Sequence, residues 1–499
     1  MELFNNLLLG LQVASDPAIL WFCFLGVFLG TAVGVLPGIG ALAAISLLLP
    51  MTYHMSPTSA IVMLAGVYYG SQYGGSTASI LMNLPGGPAS AVTCLDGYPM
   101  AKKGKAGVAL FITTIASLAG AMIGLLLLVL FSPVIAEVGL KFGPAELFAM
   151  MVMGLVAASS IGAGSPVKGL AMVVMGVLLG MVGTDVNTGI ARFTFDIPEL
   201  MDGINLVALA MGLFGVSEVV RNIHGQDETQ KVESVTLRSM IPTRQEMKRS
   251  YPAMLRGSAL GSALGALPGV GPSIAAFMSY AIEKRVAKNP EEFGQGAVQG
   301  ISAPESANNA AAQTAFVPSL SLGIPGDAVM AIMLGALIIH GITPGPMLIT
   351  EQPEMFWGLV VSFAIGNIML VLLNIPTIGI WVSLLRIPFT WLYPAILVFV
   401  ALGVYSVNNN HFDIYMVAVL GALGYLLMLL RFEAAPLLLG YILGPMVEEN
   451  LRRALLISRG DPSVFFERPI SATLLYVTLA MLVWTLFKFV RGSLRRPRI

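Results

Sequence analysis

Charge is what this sequence has least of. Only 11% of its 499 residues are Asp, Glu, Lys or Arg, against about 25% in an average soluble domain. With 56% of residues hydrophobic, too few charged groups remain to cover the outside of soluble domains. That composition excludes a soluble protein and places the chain in a bilayer. No Lys or Arg precedes Lys102, so the basic start of a cleaved signal peptide is missing and the first hydrophobic segment is expected to stay as an anchor. Two cysteines, Cys23 and Cys94, support neither a disulfide framework nor a CxxC metal site. His54, His224, His340 and His411 are scattered without HExxH spacing, and His340 is expected to end a helix. The absence of GxxxxGK[ST] excludes ATP hydrolysis by a P-loop. Formal net charge is +0, which gives no reason to expect nucleic acid. No cofactor motif is found.

What the chain does have is long apolar runs. They cover roughly 19–35, 57–82, 106–132, 144–163, 167–183, 202–220, 252–282, 314–340, 355–385, 391–407, 413–430 and 470–490. A spanning helix needs about 20 apolar residues, so about twelve transmembrane helices are expected, several broken by Gly and Pro. The predicted fold class is an all-α polytopic membrane protein with broken or re-entrant segments. The one clearly polar interval, 221–250, reads as a cytoplasmic linker. It separates a first transmembrane repeat (1–220) from a second (251–450), and 451–499 is expected to form a terminal hairpin or helix with a basic cytoplasmic tail. Basic residues cluster in Arg221–Arg256 and Lys488–Arg498, as the positive-inside rule expects of cytoplasmic segments. Arg452, Arg453, Arg459 and Arg468 conflict with it, because both flanks of a single last helix cannot be cytoplasmic. Lys102, Lys103 and Lys105, after Asp96-Gly97-Tyr98-Pro99, read as a short cytoplasmic loop.

The two halves share a motif. Gly26, Gly30, Gly34, Leu36, Pro37, Gly38 and Gly40 align with Gly257, Gly261, Gly265, Leu267, Pro268, Gly269 and Gly271, each pair 231 positions apart, as GxxxGxxxGxLPGxG. Leu84-Pro85-Gly86 and Ile324-Pro325-Gly326 agree more loosely. In GxxxGxxxG the glycines share one helical face and let backbones pack closely. The following LPG interrupts the helix, because proline lacks an N–H and clashes with the preceding turn. Paired breaks of this kind mark the binding site of inverted-repeat transporters. A helix restarting after Gly40 or Gly271 aims N–H groups at an anion, although a purely architectural kink is the plainer alternative. Acids without bases precede the first copy and bases precede the second, which predicts opposite insertion. Small polar residues follow each break: Gly75, Ser76, Thr77 and Asn83 in one half, Glu305, Ser306, Asn308, Asn309 and Asp327 in the other. Pro37, Gly38, Gly40, Gly75, Ser76, Thr77, Pro268, Gly269, Gly271, Asn308 and Asn309 are the expected substrate contacts. Glu305, Ser306, Asn83 and Asp327 are the expected cation-coupling residues, with sodium placed near Gly38, Gly269, Ser76 and Asn308. Carboxylates in a membrane are expensive and therefore paired or functional.

Together these motifs resemble the large membrane subunit of the tripartite tricarboxylate transporter family. The likeness is carried by Gly34–Gly40, Tyr69–Thr77, Leu95–Gly104, Ala303–Asn309, Leu322–Gly326, His340–Pro346 and Gly444–Arg453. The resemblance implies a bacterial inner-membrane permease of about twelve helices that takes up citrate or another carboxylate. It also implies a periplasmic solute-binding protein, a small four-helix membrane subunit and an ion gradient of sodium or protons. A channel or scaffold is the alternative from another class; it would show no saturation and no dependence on a binding protein. An intramembrane enzyme would need a nucleophile and base to converge in space, and none stands at readable spacing.

Overall fold

Short polar caps and prolines open several of the long helices. Asp16 Oδ1 accepts from the N–H groups of Ala18 (2.8 Å) and Ile19 (3.4 Å), and Ser56 Oγ accepts from Ser59 N–H (3.3 Å). Pro17 and Pro57 follow these caps, where a missing N–H breaks no helical bond. The computed structural model describes residues 2–36, 40–139, 141–159, 166–185, 188–222, 235–267, 270–385 and 389–494. Pro37, Gly38, Pro268 and Gly269 therefore lie outside the described residues, as do residues 223–234 of the polar linker.

The first half holds α1 (Glu2–Ala14), α2 (Pro17–Val35), α3 (Gly40–Thr52), α4 (Pro57–Met82), α5 (Cys94–Met100), α6 (Ala106–Gly139), α7 (Pro144–Ala158) and α8 (Pro166–Gly180). A two-residue strand pair, Gly183–Thr184 with Ala191–Arg192, is the sole sheet among the described residues. It leads to α9 (Leu206–Ala210), a π-helical turn and α10 (Ser217–Asn222). The second half holds α11 (Arg244–Gly265), α12 (Gly271–Val286), α13 (Gln299–Thr314), α14 (Phe316–Leu322), α15 (Ala328–Ile339) and α16 (Leu348–Glu351). After these come α17 (Pro353–Asn374), α18 (Ile378–Leu384), α19 (Phe389–Asn408), α20 (His411–Leu429), α21 (Ala435–Ile457), α22 (Val464–Glu467) and α23 (Pro469–Leu494).

Among the described residues, four stretches are long and apolar enough to cross a bilayer: Pro17–Val35, Cys94–Phe131, Pro353–Asn374 and His411–Leu429. Six shorter apolar helices accompany them. The chain is an all-α polytopic membrane protein. Three expected spans divide: 252–282 into α11 and α12, 314–340 into α14 and α15, and 355–385 into α17 and α18. The interval 221–250 is not all connector, because α11 begins at Arg244 under a capping box of Thr243 and Glu246. His340 ends α15, as expected.

The repeated glycines do the same job in both halves. A Cβ on Gly26, Gly30 or Gly34 of α2 would strike the carbonyl oxygens of Met63, Val67 and Ser71 on α4. A Cβ on Gly257, Gly261 or Gly265 of α11 would strike those of Ala303, Ala307 and Ala311 on α13. The second helices correspond as well, since 63, 67 and 71 each lie 240 positions before 303, 307 and 311. α4 and α13 are thus backbone-to-backbone with their partners and form the innermost layer. All residues of α13 after Gln299 are buried.

Candidate functional site

The described flanks of both LPG motifs show an interruption. α2 ends at Val35 and α3 begins at Gly40; α11 ends at Gly265 and α12 begins at Gly271. Gly40 and Gly271 restart their helices at φ +63° and +65°, a left-handed conformation that side chains resist. Each faces the later LPG or IPG motif of its own half. The nearest atom to a Cβ on Gly40 would be Gly86 O (4.0 Å), and on Gly271 it would be Asp327 Cβ (3.0 Å), with Gly326 O at 3.7 Å.

Asp327 caps a helix. Its Oδ1 accepts from Met330 N–H (2.8 Å) at the start of α15, while its Oδ2 accepts the Tyr68 hydroxyl from α4. The acid expected to couple cations is therefore fully engaged as a cap and as a bridge between halves. Asn83 is exposed and, at φ +57°, terminates α4 as Gly323 (φ +66°) terminates α14. Ser306 Oγ donates to Met254 O (3.0 Å) and Ala303 O (3.0 Å), which turns it towards α11. Gly75 is a point of close approach: the loop at Gly86 comes so near that a Cβ there would lie 2.6 Å from Gly75 Cα. Thr77 is buried.

Glu305 is different. It is 1% exposed at the middle of α13, and among the described residues it has no Lys, Arg or His partner. Neutral donors hold it instead. Thr93 Oγ1 donates to Oε2 (3.2 Å), while Ser117 Oγ (3.1 Å) and Asn309 Nδ2 (3.3 Å) donate to Oε1. Ser76 Oγ lies against the same carboxyl without meeting hydrogen-bond geometry. Thr93, Ser117 and Ser76 belong to the first half and Glu305 to the second, so this cage exists only where the halves meet. Asn309 Nδ2 also reaches Ser117 Oγ (2.8 Å), which leaves Asn309 Oδ1 without a partner among the described residues. Asn308, one turn from Glu305, is fully buried, and neither of its amide atoms has a partner among the described residues. Carboxylate, hydroxyl and amide oxygens are the donor types that hard cations prefer.

The sequence reading missed Thr93, Ser117 and Asp96. Thr113, Thr114 and Ser117 are the hydroxyls that interrupt an otherwise apolar run, and that was the available signal. Asp96, read as part of a loop, is 0% exposed. Its Oδ1 accepts from the N–H groups of Gly294 (2.9 Å), Gly296 (2.7 Å) and Ala297 (2.8 Å), and its Oδ2 accepts from Tyr280 Oη (3.0 Å). Lys103 Nζ donates to Gln295 O (2.6 Å), and Lys105 Nζ pairs with Glu246 Oε1 (2.8 Å) at the head of α11. The basic loop of the first half is thereby clamped to the segment that launches α13.

Apolar helices of this length around a buried polar core define a multi-pass membrane protein. The profile of the tripartite tricarboxylate transporter TctA family matches residues 20–439. The chain belongs to that family, and its class is the permease of a tricarboxylate transporter, which points away from an enzyme. Such permeases work with a binding protein and a small membrane subunit. An uncharacterised 52.8-kDa protein of Agrobacterium vitis, from the TAR-I ttuC' 3' region, is 51% identical over 494 residues, 99% of this chain and 98% of that protein. A second uncharacterised protein of the same organism, from the TAR-II ttuC' 3' region, is 55% identical over 223 residues, 45% of this chain and 92% of its own length. No solved structure matches the chain.

Proposed function

We propose that this chain is the permease of a cation-driven uptake system for citrate or another small carboxylate. It takes its cargo from a periplasmic binding protein and works beside a small four-helix membrane subunit in a bacterial inner membrane. Its two halves insert in opposite orientations and close on one site. The observation that carries this reading is Glu305, a buried carboxylate without a basic partner among the described residues, held by hydroxyls of the other half.

Energetics require the cation. Moving one charge against the membrane potential costs about 2.3 kcal/mol per 100 mV, so a trivalent anion entering a negative interior costs roughly 7 kcal/mol. Bound cations cancel that charge. Glu305, Thr93, Ser117, Asn309 and Ser76 offer one of them a ring of hard oxygens, and sodium suits it better than a proton because so few ionisable groups are buried nearby. The amide of Asn308 and the helix starts at Gly40 and Gly271 supply N–H donors for the carboxylate. Loss of either ligand leaves polar atoms unmatched, so the filled site is favoured over a half-filled one.

The test is accumulation of radiolabelled citrate in proteoliposomes holding the complete complex, with sodium and proton gradients imposed separately. A sodium gradient drives uptake of chemically unchanged citrate, and Glu305→Gln abolishes the accumulation. Parent-level accumulation by Glu305→Gln would remove the coupling assignment.

A further inference from the structure

The segment joining α8 to α9 exposes aromatic rings on left-handed backbone. At its base Gly183–Thr184 pairs with Ala191–Arg192, and the hydroxyl and N–H of Thr184 both donate to Met201 O (3.0 and 2.8 Å). Arg192 is tied to Asp185 and Glu448, while Leu200 and Ile204 sit in the core. On this fixed mount Phe193 (φ +53°), Phe195 (φ +52°) and Asp196 (φ +59°) are all left-handed, a conformation that disfavours residues with a side chain. Thr194 between the two rings is buried, yet Phe193 is 52% exposed and Phe195 80%. Ile197 is exposed beside them, and so are Asp196, Glu199 and Asp202. Arg192 is the only Lys or Arg between positions 183 and 205. The result is an acidic prominence whose strained backbone holds two rings outwards, and strain of this kind clusters where proteins clamp a ligand or partner.

Its side of the membrane follows from contacts at the far end of the bundle. Lys168, at the start of α8, donates to Leu430 O (2.7 Å), and Arg221, near the end of α10, donates to Met428 Sδ (4.0 Å). These residues share one end with the basic linker that follows Arg221. α8 and the helical run from Leu206 to Asn222 both reach away from that end, so the segment between them lies at the opposite one. With the linker cytoplasmic, the aromatic tips are periplasmic. Lipid does not suit them, because the acids interleaved with the rings are expensive to bring into hydrocarbon. We propose that this prominence is the docking surface for the periplasmic binding protein, which seats Phe193 and Phe195 in apolar pockets ringed by Lys and Arg. The inference rests on the uptake reading above and gives its soluble partner a place on the chain. Aromatic anchors supply much of the energy of such an interface, and the acids steer a basic partner onto it.

The double variant Phe193→Gly/Phe195→Gly tests the surface and spares the fold, since glycine adopts left-handed backbone freely. The probe is the purified, carboxylate-loaded binding protein of the same system, titrated against proteoliposomes holding the complete complex. The binding-protein concentration that half-saturates uptake rises about thirtyfold in the double variant, as for the loss of two aromatic anchors. Uptake at saturating binding protein stays within about twofold of the parent, and the melting temperature matches or exceeds the parent's. Asp196→Lys/Glu199→Lys raises the half-saturating concentration about tenfold at about 20 mM salt and less than about twofold at about 500 mM. An unchanged half-saturating concentration in the glycine variant overturns the docking surface. So does a fall in its melting temperature, which would make the rings packing residues. A dimeric parent that the variant breaks into monomers, with half-saturation unchanged, assigns the surface to a second copy and overturns the proposal too. If uptake by the parent ignores the binding protein altogether, the uptake reading fails and the docking surface with it.

Discussion

At the scale of single residues, buried carboxylates carry the largest consequences. Asp96 is the clearest structural case, because one oxygen gathers three backbone N–H groups from the segment before α13. Removing that acceptor leaves three buried donors unmet, each worth about 1–3 kcal/mol. Asp96→Ala is therefore expected to lower stability by at least about 3 kcal/mol, read as a large fall in melting temperature or in yield of monodisperse protein. Asp96→Asn keeps an acceptor and loses less. A melting temperature within error of the parent for Asp96→Ala would show that the segment holds itself.

How much of this was legible differs from residue to residue. Glu305 stood out in the sequence because an acid in a run of small residues needs a reason. Its partners did not, since Thr93 and Ser117 lie 212 and 188 positions away in the chain. Asp96 was hidden for the opposite reason: beside Gly97, Pro99 and three lysines it looks solvated. Asp327 drew attention as an acid and turned out to cap α15 and bridge to Tyr68.

At the scale of helices, the glycine pattern was read correctly because backbone contact is a local property of one helical face. The 57–82 run coincides with α4. α13 was invisible as a helix, since it is polar and touches other helices rather than lipid. α21 escaped too, with Glu448, Glu449, Arg452 and Arg453 crowding its second half. The close contact predicts a graded response. Gly261→Val forces a side chain into the Ala307 carbonyl, and overpacking of this kind costs about 1–3 kcal/mol or more. The variant should melt several degrees lower and transport poorly, whereas Gly379→Ala, with nothing near its Cβ, should match the parent. Equal melting for the two would show that α11 and α13 are not locked together.

At the scale of the whole molecule, the arginines that troubled the orientation argument are mostly spoken for. Arg452 pairs with Asp185 (3.1 Å) and Glu448 (2.5 Å), while Arg192 pairs with Asp185 (2.5 Å) and Glu448 (3.0 Å), which closes a four-member ring. Arg453 pairs with Glu449, and Arg468 with the buried Glu146 (2.6 Å). These residues join the ends of α7, α8, α21 and α23 in an ion network, so they have an architectural reason to be basic. α23 is a single helix from Pro469 to Leu494, and read as one crossing it predicts flanks on opposite sides of the bilayer. Single cysteines replacing Asp461 and Ile499 should be labelled by an impermeant maleimide from opposite faces of intact vesicles. Labelling of both from one face would contradict a single crossing.

The cage around Glu305 also bears on biogenesis. The hydroxyls of Thr93 and Ser117 leave the ribosome some 200 residues ahead of the acid they serve, and until α13 arrives they face an unfilled groove. Neither half can finish its own interior. Folding of this permease is thus a two-instalment event, and the nascent first half must wait, unsealed, for its complement.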